Sequence, residues 1–412
     1  MMLAFVVYSL LALRTVAELW LDRLNLRELK RHENAVPEAY RATVSEEEYA
    51  KSVDYSKAKL TYGGWRTIWD VLVLAVLLAG VLAALYHAFT GWLGEGLWSR
   101  ALAVVLTLFV ASLPGWPWDW WATFKLEGKY GFNRTTAALW LRDRAVSFLL
   151  TLAIGVPLVA LLLWFAEALP TTWWLWGFLA LLVFQVIMLA LYPKLILPLF
   201  NKLTPLPEGE LRERLVALGE RAGFTMTQLQ VIDGSKRSTH SNALFTGFGR
   251  FRKAILYDTL IEQMKTPELE AVLAHEIGHS KCRHLPKMLA VSAISSLVMF
   301  GALGLLAANP ELLTPFGFAP GDGVAAVLLF AALAGDVFTF WFSPLTNSRL
   351  RKYEYEADAF AKQMLDDDPM PLVSGLRRIH QKNLANLTPH PWYARFHYSH
   401  PTLIERERAL LG

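Results

Sequence analysis

The stretch His275-Glu276-Ile277-Gly278-His279 sets two imidazoles four residues apart with a carboxylate between them. On a helix, that spacing projects both rings from one face, where they can share one Zn²⁺, and leaves Glu276 beside the open coordination position. Such a site hydrolyses peptide bonds. The metal acidifies a water and polarises a carbonyl, while Glu276 takes the water's proton and passes it to the leaving amine. The remaining ligand has to come from elsewhere in the chain. A metzincin would continue with Gly and His at the positions held here by Cys282 and Leu285, so that class is excluded. Cys282 is the single cysteine, which rules out an internal disulfide, a multi-thiolate site and the paired thiolates of a zinc deaminase. A carboxylate farther along is then expected, completing a two-His, one-Glu site for one Zn²⁺ per chain.

The best source is the predicted helix running from Ser348 through Asp358. With Leu350 at zero and about 100° per residue, Tyr353, Ala357, Phe360, Ala361 and Met364 fall within roughly 80° of it and mark a buried arc. Glu354 lies at about 40°, inside that arc, whereas Glu356 lies at about 240°, on the side turned toward water. A carboxylate in an apolar arc is costly unless a cation offsets it. Glu354 is therefore the expected third ligand. Asp358, at about 80°, sits on the margin, where it can orient a ligating imidazole.

The elements that must hold these residues follow from the flanking sequence. Thr266-Pro267-Glu268 reads as a helix start, with a hydroxyl N-cap, a proline at the first helical position and a carboxylate in the first turn. Leu269, Val272, Leu273 and Ile277 then form the helix's apolar face. Residues 228 to 257 alternate and carry turn formers, which predicts two or three short strands. The hydrophilic blocks 201–285 and 346–412 are each small alone and are expected to fold together as one α+β zinc-peptidase unit.

The rest of the chain is built for lipid. Of 412 residues, 54% are hydrophobic and only 18% charged, outside the range of ordinary soluble domains. Apolar runs long enough to span a bilayer lie near 67–91, 99–117, 145–168, 173–199, 286–308 and 323–345. Residues 1–20 make a seventh, in which Arg14 and Glu18 can pair at i,i+4. That run lacks a basic start and a small-residue cleavage site, so it is expected to be retained. The predicted fold is thus a mainly α polytopic membrane protein with about seven transmembrane helices, arranged as 1–200, 201–285, 286–345 and 346–412. Loops 21–66 and 118–144, segment 200–285 and the tail after 346 carry nearly every Lys and Arg, while loops 92–98, 169–172 and 309–322 have none. The positive-inside rule then puts the catalytic segments in the cytosol, beneath a bacterial inner membrane or an ER membrane. The net charge of +4 is spread over several segments, so no nucleic-acid partner is expected.

With these residues in place, the chain resembles the zinc-type CAAX prenyl proteases. The matching stretches include Lys129 to Asn133, Tyr192-Pro193-Lys194, Pro198 to Lys202, Gly234 to Ser238, His240 to Ala243, Tyr257 to Leu260, Glu354 to Phe360 and Tyr398 to Pro401. The resemblance implies seven helices around an intramembrane chamber, zinc on His275, His279 and Glu354, and Glu276 as base. It also implies a substrate-pairing edge at Asn242 and a histidine near the metal at His400, able to donate to an oxyanion. The expected substrates are peptides or proteins, lipid-linked or membrane-associated. The rivals are a quality-control membrane protease, which a shorter chain with about four spans would favour, and a non-enzymatic membrane scaffold.

Overall fold

A computed structural model describes residues 1–41, 43–224, 226–241, 243–248 and 251–412. Among the described residues, seven helical segments are long and apolar enough to cross a membrane: Met2–His32, Glu46–Leu93, Leu97–Glu127, Ala137–Ala168, Trp173–Phe200, His284–Ala307 and Pro320–Met364. Each contains one of the apolar runs read from the sequence. Small residues line their contacts, with Ala83, Ala101, Ala103, Ala160, Ala325 and Ala334 all within one buried cluster. That composition lets helices approach closely where lipid supplies no hydrophobic drive between them. Arg14 in the first span pairs with Glu18, and it also reaches Asp336 in the last span at 2.7 Å. Trp173, at the start of the fifth span, is buried and set edge-on against Phe300.

Several segments outrun their apolar windows. The second begins at Ser45, where Ser45 Oγ accepts from the Glu48 N–H and the Glu48 carboxylate accepts from the Ser45 N–H, a reciprocal cap placed well inside a predicted loop. The last is continuous. Gly323–Thr339 passes through a tight turn at Phe340–Phe342 into Ser343–Met364, so the helix carrying Glu354 prolongs the final span and does not begin after it. Pro344 falls in the first turn after that tightening, where its missing N–H leaves one gap in the backbone hydrogen bonding.

Outside the spans, the described residues form a four-stranded sheet of β1 (Leu203–Pro205), β2 (Met226–Ile232), β3 (Ala243–Phe248) and β4 (Phe251–Tyr257), in the order β1-β2-β4-β3. β2, β3 and β4 fall where alternation predicts strands. β1 is an addition, too short to show a period, and its proline is tolerable because β1 lies at an edge. β3 occupies the other edge. The helix Thr266–Lys281 packs beneath this sheet through Leu269, Val272, Leu273 and Ile277, in one core with Leu229, Leu256, Ala361, Leu372, Val373, Leu376, Leu403 and Leu410. Both hydrophilic blocks therefore bury a common interior. The start of this helix differs from expectation: the N-cap is Lys265, and the Glu268 carboxylate accepts from its N–H at 2.9 Å. Glu268 also takes a hydrogen bond from Ser374 and pairs with Arg378, which ties the helix start to Met370–Lys382.

Candidate metal centre

Helix Thr266–Lys281 supplies His275, Glu276 and His279, and helix Ser343–Met364 supplies Glu354 and Asp358. The two helices touch at Gly278 and Ala357. A Cβ on Gly278 would stand 2.9 Å from the Ala357 carbonyl oxygen and 3.0 Å from its Cα, so only glycine permits this approach. The contact brings the side chains together from positions far apart in sequence. His275 Nε2 and His279 Nε2 lie 3.2 Å apart, and Glu354 oxygens stand 3.4 Å from the first and 3.3 Å from the second.

Glu354 is 6% exposed, and its Oε2 has no hydrogen-bond partner. A buried carboxylate oxygen left without a donor is expensive. Ligand atoms of His275, His279 and Glu354, all within 4.8 Å of one another, form a donor set that suits Zn²⁺, and a cation there would offset the buried carboxylate.

Around this trio the charges are ordered. Asp358 Oδ1 lies 2.8 Å from His275 Nδ1, so it accepts that hydrogen and turns Nε2 toward Glu354. Arg406, on Leu403–Leu411, grips both oxygens of Asp358, with Nε donating at 2.8 Å and Nη2 at 2.5 Å. Burial pushes the His275 ring toward neutrality, but Asp358 and Glu354 outweigh it and lift its pKa to about 9. The carboxylates thus create enough negative potential to hold a positive charge at the ring.

A cavity of about 140 Å³ opens onto the cluster, lined by Ser241, Ala243, His275, Glu276, Glu354 and His400 among others. His400 Nε2 stands 3.5 Å from Glu354 Oε1. Asn242 lies outside the described residues, although its neighbours Ser241 and Ala243 border this cavity. Segments scattered along the sequence converge just behind them. Asn133 bridges to Ser238, His240 stacks on Phe132 with ring centroids 4.1 Å apart, and Arg237 donates two hydrogen bonds to the Asp143 carboxylate, at 2.8 and 3.0 Å. These contacts fasten the entry to β3 onto the third and fourth spans.

Glu356 stays partly exposed, as its side of the wheel implies, and its Oε2 also accepts from the buried His284 Nε2 at 2.9 Å. Arg406, Gly278 and His284 were not singled out from sequence. Arg406 had a signal: at about 300° from Leu403 on a helical wheel, it falls within roughly 60° of Leu403 and Leu410, a charge inside an apolar arc.

Comparison with known proteins adds to this geometry. Residues 25–202 match the family described as CAAX prenyl protease N-terminal, five membrane helices, and residues 205–412 match peptidase family M48. The chain is 33% identical to CAAX prenyl protease 1 of Saccharomyces cerevisiae, covering 92% of this chain and 89% of that protein. It is 30% identical to the human CAAX prenyl protease 1 homolog, covering 91% and 88%. The crystal structure of S. mikatae Ste24p superimposes with a TM-score of 0.90 at 29% identity, covering 100% of this chain and 99% of that one.

Proposed function

The chain belongs to peptidase family M48, among the membrane-embedded CAAX prenyl proteases, and from that premise we propose that it cleaves C-terminal CAAX peptides of prenylated proteins at one zinc ion held by His275, His279 and Glu354. It is an integral, multi-pass membrane metallopeptidase. The observation that supports the ligand set is the meeting of two imidazole Nε2 atoms, 3.2 Å apart, at the buried Glu354 carboxylate, with Oε2 beside His275 and Oε1 beside His279. When bound, Zn²⁺ supplies Lewis acidity for the scissile carbonyl and acidifies a water.

The chain's own residues do the rest. Glu276, one position after His275 and on the wall of the same cavity, accepts the proton of the attacking water and returns it to the leaving amine. His400, across the cavity beside Glu354, donates a hydrogen bond to the oxygen that gains charge. β3 lies at the sheet edge, and its entry at Asn242 pairs with an extended substrate through main-chain hydrogen bonds. Asp358 and Arg406 hold His275 in the tautomer that leaves Nε2 free. The basic loops support a cytosolic position for the site, by the positive-inside rule.

One assay tests the reading. Purified protein loaded with zinc is given a peptide with a C-terminal CAAX motif, prenylated and unprenylated, in wild type and Glu276→Gln. Cleavage of the prenylated form should fall by roughly 10² to 10⁴ in the variant with zinc retained. Full turnover by Glu276→Gln, or a stronger preference for the bare peptide, contradicts the mechanism or the substrate class respectively.

A further inference from the structure

His275 has an outer pair of residues that fixes its ring, and His279 has a second such pair on the other side of the cluster. Nδ1 of His279 lies 2.9 Å from Nδ1 of His284, and Nε2 of His284 lies 2.9 Å from Glu356 Oε2. His284 is 1% exposed, and its ring stacks on Tyr353 with centroids 4.3 Å and planes 16° apart.

The hydrogens along this row can be assigned by elimination. An ionised carboxylate only accepts, so Nε2 of His284 carries the hydrogen that Glu356 receives. Lys287 and Lys352, at 3.6 and 3.9 Å, keep that carboxylate charged. Nδ1 of a neutral His284 is then an acceptor, and His279 Nδ1 must be the donor. That leaves His279 Nε2 bare, directed at His275 Nε2 and Glu354. Reversing the row would put a hydrogen on the very nitrogen that has to bind metal.

The backbone invests in this placement. Arg283, between the histidine helix and the sixth span, is held at φ 56 and ψ 39, a left-handed conformation that is strained for a non-glycine residue. The turn it makes folds His284, first residue of the span helix, back against His279.

We propose that His284 and Glu356 are positioning residues that set the tautomer and ring orientation of His279, as Asp358 and Arg406 do for His275. The proposal rests on the zinc reading above. Cys282 lies within reach of the same two groups, a trio that has the ligand types of a second metal site. Both nitrogens of His284 are already engaged, however, and two lysines flank Glu356, which opposes a further cation there.

The test is zinc affinity, measured by competition with a chelator on the full chain, together with the visible absorption of the Co²⁺-loaded form. Glu356→Ala and His284→Phe should each weaken zinc binding roughly 10- to 100-fold and shift the Co²⁺ bands. Glu356→Gln keeps an acceptor oxygen for His284 and should restore most of the affinity, a rescue that a merely structural role does not give. His279→Ala serves as the reference for a lost ligand. If Glu356→Ala and His284→Phe both stay within about twofold of wild type while His279→Ala loses zinc, the positioning role is refuted and the zinc site stands. If His279→Ala binds zinc normally, the zinc reading itself fails. Two zinc ions per wild-type chain, dropping to one in Cys282→Ser, would make the trio a metal site and overturn the proposal.

Discussion

Gly278→Ala is the change that most directly probes how the candidate centre is assembled. The added methyl would meet the Ala357 carbonyl oxygen at 2.9 Å, its Cα at 3.0 Å and its Cβ at 3.3 Å, whereas ordinary contact begins at 3.4 Å. Two of these atoms are backbone and cannot swing away. The helices must part by about 0.5 Å, more than the ±0.2 Å or so within which metal–ligand distances are held. Alanine gains up to about 1 kcal/mol in helix propensity over glycine. Overpacking costs about 1–3 kcal/mol, so stability should fall or at best break even. Function should fall much further, because the strain acts between the histidines and Glu354. We expect zinc affinity to drop at least tenfold by chelator competition and turnover of a CAAX peptide to drop about 10²-fold. A variant with wild-type zinc affinity and turnover would show that the helices can slide without disturbing the cluster, and would refute the account of Gly278.

Arg406→Met should destabilise the protein by about 3–5 kcal/mol, since Asp358 keeps a buried charge without its partner; thermal unfolding in detergent measures this, and an unchanged midpoint counts against the clamp. Single cysteines near residues 95 and 210, in a Cys282→Ala background, should label from opposite faces of the membrane, and labelling from one face would overturn the topology. Asn242→Ala should lower catalysis while zinc content stays at the wild-type level, and unchanged kinetics across several peptides would demote Asn242 to a turn residue.

Much of this was legible in the sequence because it is local. Hydropathy marks the spans, i,i+4 spacing marks His275 and His279, and one helical wheel separates Glu354 from Glu356. The fold itself, seven long helices with a small sheet, follows from those periods. What escaped notice depends on how distant elements meet. Nothing near Gly278 states that Ala357 will press on it, and a wheel that sends Glu356 toward water cannot know that the chain reverses at Arg283 and brings His284 to it. The continuity of the last span with the helix of Glu354 was hidden for another reason: polarity changes at Ser343, but helical hydrogen bonding does not stop there.

That continuity makes the last span a lever arm. Thr339 and Glu354 are separated by fifteen residues of helix, or about 22 Å at 1.5 Å per residue. Over such a length, a tilt of about half a degree moves the carboxylate by some 0.2 Å, the whole tolerance of a metal–ligand bond. The histidines hang from a different arm, since the sixth span begins at His284, just past the end of their helix. On the proposed ligand set, coordination demands that the sixth and last spans keep a fixed angle. The Arg14 to Asp336 ion pair ties the last of these arms to the first span.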